Sequence, residues 1–368
     1  MVYLDHAATT PILPSVKQAM FDAYDKYYAN ASSLHTPGHL ALEEIEHARE
    51  SLAQLIHADP SEIIFTSGAS ESNNTVIHTF AGQPIYVSPY EHHSLLEAKN
   101  AFSRGLPEVT TEDEGARPVT TGPSDPSPEK CILASCMLAS NELGDIFDLP
   151  HDAKYLHSDL TQCLGKIPID VKKLGLDYAT FSAHKIGGPL GIGALYVRNG
   201  APFKPLIIGG NQEHKRRSGT YNTPAIIGFG VACEYCLQNK TWELYESQVK
   251  PLRDRLAHEI LTTIPGSQIN TDLTHSLPHI LNVSFRAAEG ESIQLYLDNA
   301  GVIVSTGSAC ASGDIKPSHV LMAKFHDAEI AHSSIRFSLG LDTTPDDIDY
   351  TMSVLPDIIK KLRGMSTR

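Results

Sequence analysis

The sequence predicts an α/β protein with a large domain built on a mainly parallel sheet and a smaller α+β domain. The first observation is length, because 368 residues are too many for one ordinary hydrophobic core. The second is that short apolar runs bounded by Gly, Pro or Ser alternate with helical patterns. This alternation is typical of buried parallel strands in βα units. The third is a change of pattern after residue 241, which indicates a second domain.

The elements of the large domain are predicted in a regular order. Residues 13–57 are expected to be helical, with a Pro-Gly break at 37–38. The strands that follow are predicted at 62–66, 84–88, 131–138, 154–159, 177–182 and 193–197. The stretch 110–130 is rich in Pro, Gly, Thr and acidic residues, so we predict a surface loop there.

A long helix at 242–261 is expected to lead out of the large domain. Further strands are predicted at 279–285, 302–306 and 334–338, and helices at 292–300 and 346–362. The resulting division assigns residues 13–250 to the large domain and residues 1–12 plus 251–368 to the small one. No internal repeat is recognisable.

The net charge argues against nucleic acid as a partner. The chain has 29 Lys and Arg against 43 Asp and Glu, a formal charge of −14, whereas phosphate neutralisation requires basic residues. No apolar run approaches the length of a membrane span, and we expect no signal peptide and no membrane partner. Six cysteines in so long a chain do not form a disulfide framework. We therefore expect reduced thiols and a cytoplasmic protein.

Lys185 is the most informative residue. It ends the segment 182–185 (SAHK) directly after a predicted strand, and a glycine-rich stretch at 187–193 follows it. Asp159 ends another predicted strand. A strand-end lysine with an acidic partner is typical of pyridoxal phosphate (PLP) enzymes, whose lysine forms a Schiff base and whose carboxylate keeps the pyridine nitrogen protonated. The alternative is an ordinary solvated lysine.

Further polar clusters follow the other predicted strands. Residues 63–74 run from a strand through a glycine turn into a helix start, which is an anion site if Ser70 or Ser72 is not merely a helix cap. His92 could lie over a cofactor ring and move protons, or belong to a surface pair. Asn141 follows a strand as well. Because ligands bind outside the carboxyl ends of parallel strands, we expect these clusters to share one crevice.

One cysteine, one arginine and a CxxC motif are candidates for roles outside these clusters. Cys310 lies among small residues in 305–313, where an accessible thiolate could act as a nucleophile. Arg336 lies in an apolar strand and needs an anionic partner, either a substrate carboxylate or a structural carboxylate. The CxxC of Cys233 and Cys236 lies in a helical segment and has no second pair, so we predict a packing role there.

With these motifs in place, the chain resembles the NifS/IscS-type cysteine desulfurases of the class V aminotransferase group, which have the type I PLP-dependent transferase fold. The resemblance runs nearly end to end. It rests on residues 3–11 (YLDHAATTP), 66–74, 91–92, 141–144 (NELG), 159–162 (DLTQ), 182–185, 217–220 (RSGT), the Cys310 loop and 332–340.

The resemblance implies a role for each matching residue. Lys185 is the Schiff-base lysine, Asp159 the partner of the pyridine nitrogen, and His92 the stacking and proton-transferring residue. The remaining cofactor contacts fall to Ala69, Ser70, Asn141, Gln162, Ser182 and His184, with Thr220 reaching the phosphate of the neighbouring subunit in a homodimer. Substrate carboxylate binding falls to Arg336, assisted by Asn141, and sulfur attack to Cys310.

The function implied is the conversion of L-cysteine to L-alanine with sulfur transferred as a Cys310 persulfide on a mobile loop. The persulfide would pass to a protein acceptor, such as an iron–sulfur scaffold or a tRNA-thiolation protein. A selenocysteine lyase or a cysteine sulfinate desulfinase is the enzymatic alternative. A non-catalytic assembly subunit with Cys310 as an iron–sulfur ligand is the remote one, and no other metal site is predicted.

Two departures from the family pattern bear on the site. Leu160 stands where a small residue usually follows the cofactor aspartate, which predicts crowding near the ring. The chain between Asn141 and Asp159 is several residues shorter than usual, so residues 148–154 leave hardly any room for a crossover helix.

Overall fold

The computed structural model describes residues 1–102, 130–306 and 317–366, which form two compact units. The first unit comprises residues 11–138 and 148–241, and the second comprises residues 1–10, 139–147 and 242–368. Apart from Lys130, the loop predicted at 110–130 lies outside the described residues.

The described part of the chain contains strands and helices in alternation over most of its length. The strands are β1 (Val2–Tyr3), β2 (Ile63–Thr66), β3 (Ile85–Val87), β4 (Leu133–Ser135), β5 (Tyr155–Asp159), β6 (Tyr178–Ser182), β7 (Gly193–Val197), β8 (Ser267–Ile269), β9 (Ile280–Phe285), β10 (Val302–Ile303) and β11 (Ser334–Ser338). The α-helices are α1 (Pro14–Lys26), α2 (Thr36–Ile56), α3 (Ala69–Thr79), α4 (His93–Phe102), α5 (Thr223–Asn239), α6 (Thr241–Leu244), α7 (Lys250–Thr263), α8 (Gly290–Asn299), α9 (His319–Phe325), α10 (Ala328–His332) and α11 (Pro345–Ser366).

The first unit is built on a six-stranded sheet in the order β2-β7-β6-β5-β4-β3. Strands β3 to β6 pair in parallel, whereas β7 is antiparallel to both β2 and β6. The prediction of a mainly parallel sheet is confirmed, but the parallel direction expected for β7 is wrong. Only residues 183–192 separate β6 from β7, and this connection contains no crossover helix, which a parallel return to a neighbouring strand usually requires.

The hydrophobic core of this unit lies between the sheet and its helices. Strand residues such as Ile64, Leu133 and Leu195 are at most 1% exposed and cluster with Val76 of α3 and Leu95 of α4. Burial of these side chains is the main stabilising contribution, at roughly 1.5–3 kcal/mol for each fully buried large aliphatic residue. The core therefore holds α3 and α4 against the sheet whose strand ends carry the polar clusters.

The connection from β4 to β5 contains the segment 139–147, which belongs to the second unit. It is tied there by hydrogen bonds that Thr271 and Asn282 donate to the carbonyl oxygens of Leu143 and Glu142, at 2.7 and 3.2 Å. The predicted division placed residues 139–147 in the large domain, 13–250. The hydrogen bonds that join this segment to the second unit leave no pattern in the sequence. As predicted, residues 148–154 form no helix.

The second unit has a three-stranded antiparallel sheet, β11-β9-β8, and a parallel pair of β1 with β10. Leu4, directly after β1, and Phe337 of β11 are completely buried with Leu297 of α8 and Leu355 of α11. This arrangement confirms the α+β character predicted for residues after 250. None of the described helices in either unit is long and apolar enough to cross a membrane.

Two helix predictions changed in detail. Pro37 and Gly38 lie in the first turn of α2 rather than in a break before it, because proline is tolerated at a helix start and the His35 ring accepts a hydrogen bond from Gly38 N–H at 3.2 Å. The long helix after residue 241 is interrupted by a π-turn at Tyr245–Val249. The packing role of Cys233 and Cys236 in α5 is confirmed, since both are at most 2% exposed.

Candidate active site

Strands β2 to β6 all end at the same edge of the large sheet. Because β7 runs the other way, its first residue, Gly193, lies at that edge and pairs with both Thr66 and Ser182. A Cβ atom at this position would lie 2.5 Å from the Phe181 carbonyl oxygen and 2.7 Å from the Cα atom of Gly68. Glycine therefore allows the two polar strand ends to approach each other.

Asp159, at the end of β5, is held in place by two neutral donors. Its Oδ2 accepts a hydrogen bond from Asn73 Nδ2 at 2.8 Å, and its Oδ1 accepts one from Thr161 N–H at 3.0 Å. The side chain is only 8% exposed, and none of the ion pairs among the described residues involves it. A buried carboxylate without a cationic partner is costly, so this position favours a ligand that brings positive charge.

A chain of hydrogen bonds connects Asp159 to His92. Asn73 Nδ2 donates its second hydrogen bond to Ser94 Oγ at 2.9 Å, and Ser94 Oγ lies 2.9 Å from His92 Nδ1. Ser94 N–H also donates a hydrogen bond to His92 Nδ1, at 3.1 Å. Since a backbone N–H can only donate, His92 Nδ1 is the acceptor and the proton of the neutral ring lies on Nε2. The structure thus brings two predicted site residues into one network.

Glu91 is completely buried directly before His92. Its Oε1 accepts a hydrogen bond from Met137 N–H, which joins the turn after β3 to the residues after β4. Burial, and then the charge of Asp159, raise the pKa of Glu91 well above its ordinary value. The environment of Glu91 therefore favours its protonated form in the folded protein.

Lys185 ends a single 3₁₀ turn, Ala183–Lys185, that follows β6. The turn is closed by hydrogen bonds from Ile186 N–H and Gly188 N–H to the Ala183 carbonyl oxygen, at 3.1 and 3.0 Å. A Cβ atom at Gly188 would lie 2.7 Å from that oxygen, so the close approach requires glycine. The glycine-rich sequence after Lys185 thus has a structural function, which is to fix the lysine at the strand end.

The residues around Lys185 and Asp159 are largely removed from water. Ser182 and Gln162 are 4% and 5% exposed, and Leu160 is completely buried. Burial, and then the charge of Lys185, lower the pKa of His184 to about 4. His184 is therefore a neutral imidazole near pH 7 that can donate one hydrogen bond and accept another.

The predicted anion site lies at the start of α3. Gly68 is the residue before the helix, and no side chain caps the helix there. The alternative in which Ser70 or Ser72 is a plain cap is therefore wrong. Instead Ser72 Oγ lies 2.8 Å from Thr66 Oγ1. The first residues, Ala69 and Ser70, leave helix-terminal N–H groups for a bound anion.

Thr220 lies in the loop between β7 and α5, close to this helix start. Together with Thr66, Ser67, Arg217 and Glu213 it lines a cavity of about 220 Å³. Arg217 binds Glu71, the third residue of α3, through two hydrogen bonds of 2.9 and 3.1 Å. The loop and the anion site are thus connected by an ion pair.

The second unit holds Arg336 and Asn141. Arg336 is 4% exposed and donates hydrogen bonds to the Asn141 carbonyl oxygen at 2.9 Å and to Asp5 Oδ1 at 2.8 Å. The structural ion pair considered from the sequence is thus present, with Asp5 as the partner. Arg336 Nε is buried and has no hydrogen-bond partner among the described residues, so the guanidinium retains capacity for an acceptor. Cys310 lies outside the described residues.

Comparison with known proteins decides the family. The pattern of the family described as Aminotransferase class-V matches residues 2–351. The chain is 43% identical to the cysteine desulfurase IscS of Dictyoglomus turgidum, with 99% of this chain and 96% of that protein covered. It is 40% identical to cysteine desulfurase IscS 1 of Archaeoglobus fulgidus, with 100% and 99% covered.

This chain belongs to the class V aminotransferase family. Solved structures agree with that assignment. A NifS-like protein of Rickettsia africae matches with a TM-score of 0.84 at 32% identity, covering 98% of this chain and 99% of that one. A protein named SspA, solved in complex with cysteine, matches with a TM-score of 0.73 at 31% identity, covering 92% and 99%. The predicted resemblance to NifS/IscS-type proteins and the predicted type I fold are confirmed.

Several residues of this candidate site were not identified from the sequence. Asn73 and Ser94 form the link between Asp159 and His92, Glu91 anchors the turn that carries His92, and Asp5 pairs with Arg336. Asn73, Glu91 and Asp5 lie inside motifs that were recognised, so proximity to a motif was the available signal. Their partners are distant in the sequence, and only the fold reveals which side chains meet.

Proposed function

We propose that the chain is a PLP-dependent cysteine desulfurase that converts L-cysteine to L-alanine and carries the sulfur as a persulfide on Cys310. The observation that supports this most directly is Asp159, a buried carboxylate held by neutral donors at the strand edge next to the Lys185 turn. Family membership and relatives named cysteine desulfurase point to the same reaction.

The residues of the first unit fit the cofactor. Asp159 supplies the negative charge that a protonated pyridine nitrogen needs, and His92 supplies an aromatic ring with Nε2–H as a donor. Lys185 supplies the amine for the covalent link, and Gln162 a buried amide for a ring oxygen. For the phosphate, the structure provides the α3 start at Ala69 and Ser70, together with Ser182 and the neutral imidazole of His184.

When bound, PLP supplies an electron sink that stabilises negative charge at the substrate α-carbon. The protein's own groups do the remaining work. The Lys185 amine removes the α-proton, and His92 moves protons near the ring. Arg336, already oriented by Asp5 and the Asn141 carbonyl oxygen, holds the substrate carboxylate through the remaining guanidinium donors, with Asn141 nearby.

The sulfur transfer requires no external oxidant or reductant. The Cys310 thiolate attacks the substrate sulfur and forms a sulfur–sulfur bond, while the carbon–sulfur bond breaks with its electron pair remaining on carbon. That carbon takes up a proton, so L-cysteine and a thiol become L-alanine and a persulfide. A thiol of an acceptor protein, such as an iron–sulfur scaffold or a tRNA-thiolation protein, then takes the outer sulfur.

The active form is proposed to be a homodimer in which Thr220 of one subunit contacts the phosphate bound by the other. Large apolar side chains of the first unit support an interface, since Phe21, Tyr24 and Tyr28 of the α1 region are 58–78% exposed and Ile208 is 85% exposed. Phe21 and Tyr24 are three positions apart in α1 and so lie on one face of the helix, and contiguous exposed apolar residues mark interaction surfaces. Light scattering after size exclusion should give about twice 40.0 kDa.

The experiment that tests the proposal measures sulfide released from L-cysteine in the presence of a thiol reductant. Wild-type protein and Cys310→Ser are compared, and the visible spectrum of each reports bound PLP. We expect sulfide from the wild type only, with the same cofactor absorbance in both proteins. Cys163→Ser is a matched control, because Cys163 is completely buried.

Each other outcome contradicts part of the proposal. Full sulfide release by Cys310→Ser would favour a lyase that does not need this thiol, and selenocysteine and cysteine sulfinate would then be compared as substrates. Absence of PLP from the purified wild-type protein, even after addition of the cofactor, would overturn the proposal as a whole.

A further inference from the structure

Glu71 places a negative charge at the helix start that is proposed to hold the cofactor phosphate. It is the third residue of α3, and its Oε2 accepts a hydrogen bond from Ser67 N–H at 2.8 Å. Its side chain is only 8% exposed. Since a helix start has a limited positive potential, a carboxylate and a phosphate dianion compete for it and repel each other.

Arg217 compensates this charge. Its Nε lies 2.9 Å from Glu71 Oε1 and its Nη2 lies 3.1 Å from Oε2, the two-point geometry that suits a guanidinium and a carboxylate. Burial alone would raise the pKa of Glu71, but the hydrogen bonds from Arg217 and Ser67 outweigh it and lower the pKa. Glu71 is therefore ionised and paired.

The loop that carries Arg217 is anchored before any ligand binds. Glu213 is 2% exposed, accepts two hydrogen bonds from Arg49 at 2.7 and 2.8 Å, and also accepts one from Phe65 N–H at 2.9 Å. Phe65 lies in β2, an edge strand of the sheet, three residues before Gly68 at the start of α3. The carboxylate thus binds the loop directly to the strand that leads into α3.

The backbone after this anchor is strained. Glu213, His214 and Lys215 have φ values of 47°, 54° and 67°, in the left-handed region that non-glycine residues rarely adopt. Three consecutive residues in this region persist only where surrounding contacts impose them. The strain is a cost of turning the chain so that Arg217 reaches Glu71.

We propose that Arg217 is a positioning residue that neutralises Glu71 and thereby allows the start of α3 to bind the cofactor phosphate. This inference rests on the proposed function, because it takes the phosphate of PLP as the ligand. It assigns to Arg217 an indirect role: the guanidinium acts through Glu71 rather than through contact with the phosphate. Removal of Glu71 should therefore remove the need for Arg217.

A double-mutant cycle tests this role through equilibrium binding rather than turnover. Arg217→Met, Glu71→Gln and the double variant are prepared without cofactor, and their affinities for PLP and for pyridoxal, which lacks the phosphate, are measured by absorbance. Lys215→Met is the matched control, because it removes the same charge from an exposed side chain of the same loop. Circular dichroism of each cofactor-free protein reports folding.

We expect Arg217→Met to weaken PLP binding about tenfold or more, and pyridoxal binding by less than about threefold. Glu71→Gln and the double variant should both bind PLP within about threefold of the wild type, as should Lys215→Met. A double variant as weak as Arg217→Met would overturn the inference, because Arg217 would then act directly. Equal losses for PLP and pyridoxal would also overturn it.

The proposed function and this inference fail in different ways. If the wild type binds neither PLP nor pyridoxal, the proposed function is wrong and the inference has no ligand. If the wild type binds PLP and all four variants bind it equally well, only the inference is wrong. If circular dichroism shows that Arg217→Met has lost structure, Arg217→Lys takes its place, because it keeps the charge and should retain PLP binding.

Discussion

Asn73 donates a hydrogen bond of 2.8 Å to Asp159, although 86 residues separate them in the sequence. The same amide binds Ser94, which in turn contacts His92. One asparagine in α3 therefore sets the orientation of a carboxylate at the end of β5 and of an imidazole before α4. Contacts within the first unit therefore fix how Asp159 and the His92 ring are placed relative to each other.

Asn73→Ala should weaken PLP binding about tenfold to hundredfold, since a hydrogen bond to a buried charged group contributes about 1.5–3 kcal/mol. Asn73→Asp should weaken it more, because a second carboxylate would then face Asp159. PLP titration by absorbance measures both. Asn74→Ala is the control, as its Nδ2 donates hydrogen bonds to the main-chain oxygens of Ser70 and Ser94. An equal effect of the two alanine variants would contradict the prediction.

Glu91→Gln should change the pH dependence of stability. In the unfolded chain Glu91 ionises near 4.5, whereas burial and Asp159 raise its pKa in the folded protein. The folded state therefore binds the extra proton, and wild-type stability should fall, relative to Glu91→Gln, as pH rises from 4.5 towards the folded pKa. The slope is about 1.4 kcal/mol per pH unit.

Urea unfolding of wild type and Glu91→Gln at several pH values between 4.5 and 8 measures this difference. Glutamine retains the oxygen that accepts from Met137 N–H, so sulfide release should stay within about threefold of the wild type. Glu91→Ala loses that acceptor and should displace His92, with a larger loss of activity. A stability difference that does not change with pH would show that Glu91 is ionised in the folded protein.

Glu213→Gln should destabilise the first unit by up to about 3–5 kcal/mol, because the buried Arg49 guanidinium then keeps only the partly exposed Glu46 as a carboxylate partner. Glu46→Gln removes the other carboxylate bound to Arg49, but Glu46 is 42% exposed. We expect less than about 1 kcal/mol from this control. Chemical unfolding followed by fluorescence and circular dichroism distinguishes the two, and similar losses would argue against Glu213 as the principal anchor.

Arg336→Lys should weaken binding of L-cysteine about tenfold or more, because a lysine cannot contact Asp5, the Asn141 carbonyl oxygen and a carboxylate together. Cysteamine has the same thiol and amine but no carboxylate. Its binding, measured by the spectral change of the cofactor, should be unaffected. Equal losses for the two ligands would mean that Arg336 supports the fold of the second unit and not the substrate.

Much of the fold could be predicted because local patterns determine it. The bounds of β7 and β11 match the predicted strands, since apolar runs bounded by turn residues indicate strand positions directly. The predicted direction of β7 was wrong. The direction of a strand depends on the connection that leads into it and not on the residues of the strand itself. The assignment of residues 139–147 to the second unit depends on hydrogen bonds to Thr271 and Asn282, which leave no periodic signal.

The sequence by itself determined the chemistry that is available: a lysine, an aspartate and a histidine at strand ends, an arginine in an apolar strand, and the family to which these motifs belong. Only the tertiary structure decided which of the polar groups form hydrogen bonds or ion pairs with one another. Asn73 with Asp159, Arg217 with Glu71 and Asp5 with Arg336 are joined across long stretches of chain. The physical reason is that hydrogen bonds and charge interactions act over a few ångströms in space, whereas sequence patterns report only on neighbours along the chain.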